Sequence, residues 1–222
     1  MKYDLIIVAC SSKARLIAMT QRCIDSASQD NADMNVIIVE THPMLHSYPG
    51  CNIISYSGKF NYNKALNIGI SHAKGDVFIL ANNDLIFFPG WSEIGDLMVV
   101  NGFESASVIS SDHIKKGLQQ GDYIYAGYNI GWNLTGWCLF VTRKCIETIG
   151  SLDESFQFWH SDNVYADQLK ANGIRHGLFC NIRVDHLTSA TLRTIPMRLQ
   201  RRYTSDGVHQ YKLMQKSMKN AI

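Results

Sequence analysis

Residues 76–91 read DVFILANNDLIFFPGW. Asp76–Ala81 (DVFILA) is apolar after its first residue and shows no alternation with polar residues, so it reads as a strand buried on both faces. It breaks at Asn82-Asn83-Asp84 and resumes as Leu85-Ile86-Phe87-Phe88, ahead of Pro89-Gly90. Two amides and a carboxylate at that point mark either a turn or the polar end of a strand that holds a ligand. Beside Pro-Gly, turn chemistry is the ordinary reading.

The same pattern extends outward from this strand. Tyr3–Ala9, Asn35–Glu40 and Asn52–Tyr56 are further apolar runs of strand length, while Ala14–Ser28 has helical spacing at Leu16, Met19, Cys23 and Ala27. Asn61–Ala73 places Ala65, Ile68, Gly69 and Ala73 on one helix face, and Lys74-Gly75 closes it. Strands alternating with helices predict an α/β fold with a mixed, mostly parallel sheet flanked by helices. Beyond residue 100 the spacing predicts strands at Ser105–Ser110, Trp137–Thr142 and Leu178–Val184, and a helix over Asp162–Asn172 closed by Gly173. The tail reads as two short helices separated by Ser205-Asp206-Gly207. With no linker to divide it, the chain is expected to be one domain at 1–190 with a basic helical extension at 191–222, packed on or near the site.

With 46% apolar residues in 222 and only four prolines, the chain can bury a sizeable core. From Ala190 onward, seven basic residues (Arg193, Arg198, Arg201, Arg202, Lys212, Lys216, Lys219) face one acid, Asp206, for +6; the net +2 leaves 2 − 6 = −4 for the rest. Such a tail is either a solvated helix face or a contact for an anionic partner. The six cysteines show no CxxC spacing, which favours free thiols in a reducing compartment over disulfides or zinc. Leu5–Cys10 looks like a lipoprotein cleavage box, but Asp4 abuts it and the run is short, so it reads as a strand. No apolar stretch reaches transmembrane length, a cytoplasmic location is expected, and the Asn133-Leu134-Thr135 sequon is then without consequence.

Ligands of open parallel sheets bind beyond the carboxyl ends of the strands. Three such ends are polar here: Ala9-Cys10-Ser11-Ser12, Glu40-Thr41 and Asn82-Asn83-Asp84. No GxGxxG follows the first strand, which argues against a dinucleotide dehydrogenase. Ser11-Ser12-Lys13-Ala14-Arg15 lacks the glycines that a nucleotidyltransferase loop needs. A nucleotide lying across the three ends would let Glu40 accept from base or ribose and Asp84 hold a divalent cation on a diphosphate. Other candidates keep two readings each. Asp162 is a helix cap or a functional carboxylate; His186 is a ligand or an ordinary core or surface histidine. Trp91 reads as core, whereas Trp132 and Trp137 either pack or stack on a sugar or base.

The order of these segments carries more than any one of them. Phe60–Gly69 (FNYNKALNIG) followed by Ala73–Asp84 (AKGDVFILANND) resembles the heart of the family 2 glycosyltransferases. Gly136–Lys144 with Ile149–Phe156 (IGSLDESF) is similar to that family's downstream block, Ser161-Asp162 falls where it has Glu-Asp, and Asp185–Thr191 resembles its histidine segment. The resemblance runs over about residues 3–190, in order. It implies the GT-A fold and inverting transfer of a sugar from a nucleotide-sugar, with Mn²⁺ or Mg²⁺. It makes Asp84 the metal carboxylate, His186 a second metal ligand and Asp162 the general base. Ala9, Ser11, Glu40, Lys64, Asn67, Asn82 and Asn83 would line the donor side. The chain differs from the family at Glu40-Thr41, at Asn82 in place of an acid, and at Ser161 in place of Glu; without a like charge beside it, Asp162 is expected to be less raised in pKa. The expected acceptor is a glycan, free or lipid-linked, with peripheral membrane contact through the tail. One alternative is a hydroxylated base in DNA, flipped into the pocket, with Arg198, Arg201 and Arg202 on phosphates. Another is a nucleotide-sugar-binding domain without turnover.

Overall fold

The computed structural model describes residues 1–187 and 197–219. In chain order the strands are β1 (Lys2–Ala9), β2 (Asp33–Glu40), β3 (Asn52–Ser55), β4 (Val77–Asn82), β5 (Leu85–Phe87), β6 (Ser105–Ile109), β7 (Ile124–Ala126), β8 (Cys138–Thr142) and β9 (His176–His186). Between them lie helices α1 (Ala14–Ala27), α2 (Tyr62–His72), α3 (Ile94–Asn101), α4 (Ser111–Lys115), α5 (Arg143–Ile149) and α6 (Ser161–Ala171), and α7 (Met197–Lys219) follows. Thr188, Ser189, Ala190 and Thr191, which complete the histidine segment, and Arg193 lie outside the described residues.

The sheet runs β3-β2-β1-β4-β8-β6-β9-β5, with β7 added alongside β9. β3, β2, β1 and β4 are parallel to one another; β8 runs antiparallel to both β4 and β6, and β6 pairs β9 in parallel. This is the expected mixed sheet. Its two faces are divided residue by residue: Leu5, Ile7 and Ala9 of β1 pack with Cys23, Ile24, Trp91 and Phe140, while Ile6 and Val8 pack with Ala65, Leu66, Phe78 and Tyr165. Every strand of the centre is therefore covered on both sides, which is why its sequence shows no alternation. Trp91 is fully buried, as expected, and its indole N–H donates to Ala27 O at 2.9 Å.

Several of the family-like segments hold the sheet rather than a ligand. Asp4, buried in β1, accepts from Asn35 Nδ2 at 2.8 Å, from Lys74 N at 2.7 Å and from Gly75 N, fixing the turn that feeds β4. Arg143 donates to Gly75 O through Nε and Nη2 at 3.0 and 2.7 Å and lies over the Phe78 ring. Both contacts sit at the amino ends of β1 and β4, opposite the polar strand ends.

The tail departs from expectation. α7 is one continuous helix through Ser205-Asp206-Gly207. A glycine costs about 1 kcal/mol inside a helix and does not by itself end one. Packing explains its place: a Cβ on Gly207 would lie 3.1 Å from both Cβ and the carbonyl O of Trp159, so any larger residue would push α7 a few tenths of an ångström off the loop before α6.

Candidate active site

Parallel register brings the three polar strand ends together. Ala9 pairs with Glu40 across β1 and β2, and Val8 with Asn82 across β1 and β4. Beyond them opens a cleft of about 520 Å³ bounded by Ala9, Cys10, Thr41, Asn82, Asn83 and Asp84, with Phe60, Tyr62 and Phe158 on the far wall. A second cleft, about 600 Å³, is lined by Gly136, Trp137, Trp159, Asp162 and His186. Tyr62, Asn82 and Phe158 line both, so the clefts adjoin across these three residues.

Asp84 and His186 meet at this junction. β5 pairs antiparallel with β9, placing Leu85 opposite His186, and Leu187 N donates to Asp84 O at 2.8 Å. His186 Nε2 and Asp84 Oδ1 stand 3.0 Å apart, with the Asp84 side chain almost wholly buried. His186 is oriented by Trp137, whose ring stacks on it at 5.3 Å and 12°. That is the aromatic contact Trp137 makes; Trp132 instead packs on the small cluster of Ile109, Leu118, Leu178 and Cys180. A divalent ion fits this pair. Two ligand atoms at about 2.1 Å from one ion, at right angles, are themselves about 3 Å apart, and a carboxylate with an imidazole suits Mn²⁺ somewhat better than Mg²⁺. Among the described residues no cluster of three or more His, Cys, Asp or Glu side chains forms.

Asn82 and Asn83 divide their roles. Asn82 Oδ1 accepts from Tyr62 Oη at 2.8 Å and its amide nitrogen lies 3.5 Å from His186 Nε2, so it sits between the clefts. Asn83 turns toward α1, its Nδ2 donating to Thr20 Oγ1 at 3.0 Å, while the residue still borders the first cleft.

Four of the expected donor-side residues act differently. Glu40 was expected to accept from base or ribose, yet it is fully buried and its carboxylate is taken by the chain itself. Its Oε1 accepts from Ser11 N at 2.9 Å and His42 N at 2.8 Å, and its Oε2 from Ser11 Oγ. Ser11 Oγ is also 2.8 Å from Tyr48 Oη, so Ser11 is consumed by the same clamp. The pair ties the exits of β1 and β2 together and shapes the cleft without entering it. Lys64 and Asn67 do not border either cleft. Lys64 is exposed on α2, its backbone N–H capped by Asn61 Oδ1 at 2.9 Å. Asn67 grips the loop ahead of α6: it donates to Leu152 O at 2.8 Å and Glu154 Oε1 at 2.9 Å, and accepts from Leu152 N at 3.0 Å. Asn61 and Asn63 hold Glu154 O and Asp153 O in the same way, each at 2.7 Å. Helix α2 therefore serves the second cleft by fixing residues 152–157.

That loop delivers Asp162. His160 adopts a left-handed backbone (φ 69°), the only non-glycine residue to do so among those described, and starts α6 with Asp162 in its first turn. The Asp162 side chain lies against Gly136, where a Cβ would come within 2.8 Å of Asp162 Cβ; glycine is what lets the two loops meet. Burial pushes the Asp162 carboxyl above its ordinary value, opposed by backbone N–H groups of Asn163 and Asp162 and by nearby His160. The rise thus needs no neighbouring carboxylate: with Ser161 in place of an acid, desolvation alone supplies it. α7 covers the far side, Tyr211 stacking on the His160 ring at 5.0 Å and 8°.

Tyr62, Phe158, His160 and Tyr211 were not legible as site residues. Aromatics gave no polar signal, and only the fold brings α2, the loop before α6 and α7 to one place.

Residues 5–95 match the sequence pattern of glycosyl transferase family 2. Among curated proteins none matches the sequence. Among solved structures, GalNAc-T7 with UDP, GalNAc and Mn²⁺ superposes with a TM-score of 0.67 at 11% identity, over 83% of this chain and 43% of that one. The mannosyltransferase PcManGT from Pyrobaculum calidifontis, in complex with GDP-Man and Mn²⁺, does so with a TM-score of 0.64 at 11% identity, over 85% of this chain and 57% of that one. The chain spans about half the length of the solved structures it matches. It has the GT-A fold, and its first parallel half, residues 5–95, carries the pattern of glycosyl transferase family 2.

Proposed function

We propose that this protein transfers one sugar, with inversion, from a nucleotide-sugar to an acceptor hydroxyl. The observation that carries this reading is the pair of adjoining clefts: Asp84 and His186 stand at their junction and a buried carboxyl, Asp162, at the far side of the second. In this reading the first cleft takes the nucleotide, against Ala9, Cys10 and Thr41, and the second takes the acceptor. Asp84 and His186 would hold Mn²⁺ or Mg²⁺, which when bound offsets the charge of a departing diphosphate. Tyr62 and the Trp137 stack keep Asn82 and His186 in place. Asp162 takes the proton of the acceptor hydroxyl as its oxygen attacks the anomeric carbon. The raised pKa makes Asp162 a better base than an ordinary aspartate, and such a base contributes ~10²–10⁴-fold.

The domain division proposed is 1–190 for the catalytic unit and 191–222 for the basic extension. The acceptor proposed is a glycan, free or lipid-linked. Arg198, Arg201, His209, Lys212 and Lys216 are exposed on α7. At 3.6 residues per turn they fall within about 80° of one another, opposite Gly207 and Tyr211. A basic stripe of that kind suits an anionic membrane surface, and no described helix is long and apolar enough to cross one. All six cysteines are free, which fits the cytoplasmic location proposed.

The test is release of nucleoside diphosphate from a panel of nucleotide-sugars, with and without Mn²⁺. Metal-dependent release from one donor, reduced ~10³-fold by Asp84→Ala and by Asp162→Asn, is expected. No turnover of any donor, with nucleotide binding intact, would leave a non-catalytic binding domain. Salt-dependent binding to duplex DNA in place of anionic vesicles would redirect the acceptor to nucleic acid.

A further inference from the structure

α7 packs against the loop before α6 and against α6 itself, the segment that carries Asp162. Its Gly207 lies against the Trp159 backbone, as above. One turn on, the Tyr211 ring stacks flat on His160 and meets Phe156 edge-on at 6.1 Å and 70°. The Tyr211 hydroxyl donates to Asp167 Oδ2 at 3.2 Å. Phe156 precedes Asp162, His160 opens its helix, and Asp167 lies five residues further along that helix. One side chain therefore spans the segment from which Asp162 projects.

His160 is the point of leverage. A non-glycine residue in the left-handed region is uncommon, histidine being among those that enter it more readily, and it persists where its surroundings hold it. Here its ring is held on one side by Asn163 Oδ1 at 3.0 Å and on the other by the Tyr211 ring. Its carbonyl accepts from Val164 N at 3.1 Å, so the backbone of His160 sets the direction in which α6 starts. Asp162 is two residues later. If His160 relaxed to an ordinary conformation, the first turn of α6 would shift, and the Asp162 carboxylate with it.

We infer that Tyr211 is a positioning residue for Asp162: by stacking on His160 it holds the strained start of α6, and through Asp167 it braces the same helix from outside. The inference rests on the reading of Asp162 as the base. It makes α7 part of the acceptor side of the enzyme rather than an appendage. It also separates the two faces of α7: the face with Gly207 and Tyr211 shapes the site, while the basic face is left to meet a partner.

The experiment compares wild type, Tyr211→Ala and Tyr211→Phe by two measurements. Hydrogen exchange at the amides of residues 160–164 reads the brace, whatever the activity. Steady-state release of nucleoside diphosphate, from the donor the wild type turns over with Mn²⁺, reads the consequence. For Tyr211→Ala we expect exchange at these amides to rise at least tenfold. Its kcat should fall ~10–100-fold, the cost of misplacing a reacting group by about 1 Å, with donor KM changed less than about twofold. Tyr211→Phe keeps the stack and loses the bond to Asp167, so it should recover most of kcat. Unchanged exchange in Tyr211→Ala overturns the inference. Faster exchange with unchanged kcat overturns it as well, leaving α7 as packing alone. A fall in donor affinity equal to the fall in kcat would show general loosening, and also overturn it. A wild type that turns over no donor would remove the base assignment and the inference together. Activity in the wild type with a null Tyr211 effect would remove the inference only.

Discussion

The left and right halves of the sheet are built by different means. On the left, β3, β2, β1 and β4 run parallel, and register alone sets their polar ends side by side over the first cleft. One buried carboxylate, Glu40, closes the joint between two of them. On the right, β8, β6, β9, β7 and β5 mix directions, and β9 shifts register against β6 between Val108 and Ile109. There the second cleft is shaped by side chains reaching across loops: Asn63 and Asn67 of α2 with Asn61 at its N-cap, the stack of Trp137 on His186, and Tyr211 from α7. A site made by backbone register tolerates change in most side chains; a site made by tethers depends on each of them. That difference predicts where the molecule is sensitive.

Acid should separate the halves most. His176, in β9, is fully buried within hydrogen-bond distance of Ser105, Ser107 and Asn133 O, and burial lowers its pKa from 6.5 to about 4. The unfolded chain takes up this proton first as pH falls, so stability is intact above pH ~6.5 and is lost progressively down to pH ~4, by roughly 3 kcal/mol. The loss should be local at first. Hydrogen exchange at pH 4.5 against pH 7 is expected to deprotect β6 and β9 well before β1 and β2, and His176→Asn should remove most of the pH dependence of that step, leaving the part due to buried His113. Equal loss of protection in both halves would break the comparison.

Glu40→Gln tests the left half. The carboxylate accepts from two backbone N–H groups and a hydroxyl, and bonds to a charged acceptor are worth about 1.5–3 kcal/mol each when removed outright. The amide keeps the shape and part of the bonding, so a loss of ~2 kcal/mol is expected. In a chain of 222 residues that lowers Tm by about 4–8 °C. Affinity for Mn²⁺ with nucleoside diphosphate should fall with it, while exchange at residues 158–164 stays unchanged. A loosened Asp162 loop would mean that the halves are coupled after all.

The same difference explains how far the sequence could be read. β1, β2, β3, β4, α1 and α2 were legible to within about two residues at each end, because continuous apolar strands and helical spacing follow directly from burial on both faces. The polar ends of β1, β2 and β4 were legible for the same reason, whereas His186 was reached only through the family resemblance; the structure brings it to within 3.0 Å of Asp84. β5, β7, α4 and α5 gave no signal, being three to seven residues long and defined by their partners rather than by period. Glu40 illustrates the limit on roles. A carboxylate at a strand end looks the same in sequence whether it faces a ligand or the backbone of its neighbour; only burial decides. In α7, Gly207 read as a helix break, whereas it serves a close approach that no local pattern records.

Asn67 sharpens the comparison with the smallest effect. It lies on α2, which packs against β1 and β2 in the left half, yet its side chain bonds Leu152 and Glu154, which lead to the second cleft. Two readings of the residue therefore make opposite forecasts. As a donor-side contact, its loss would weaken nucleotide binding. As a tether, its loss frees both polar groups of Leu152 while leaving the first cleft intact. These bonds are partly solvent-accessible, so Asn67→Ala should cost only about 1 kcal/mol and lower Tm by ~2–4 °C. The functional signature should be larger than the stability loss suggests. Asp162 depends on a loop whose anchor has been cut, so acceptor KM should rise several-fold and exchange at residues 152–157 should quicken. Nucleotide affinity should hold within about twofold. An unchanged acceptor KM with weakened nucleotide binding would return Asn67 to the donor side, and with it the claim that α2 serves the right half of the molecule.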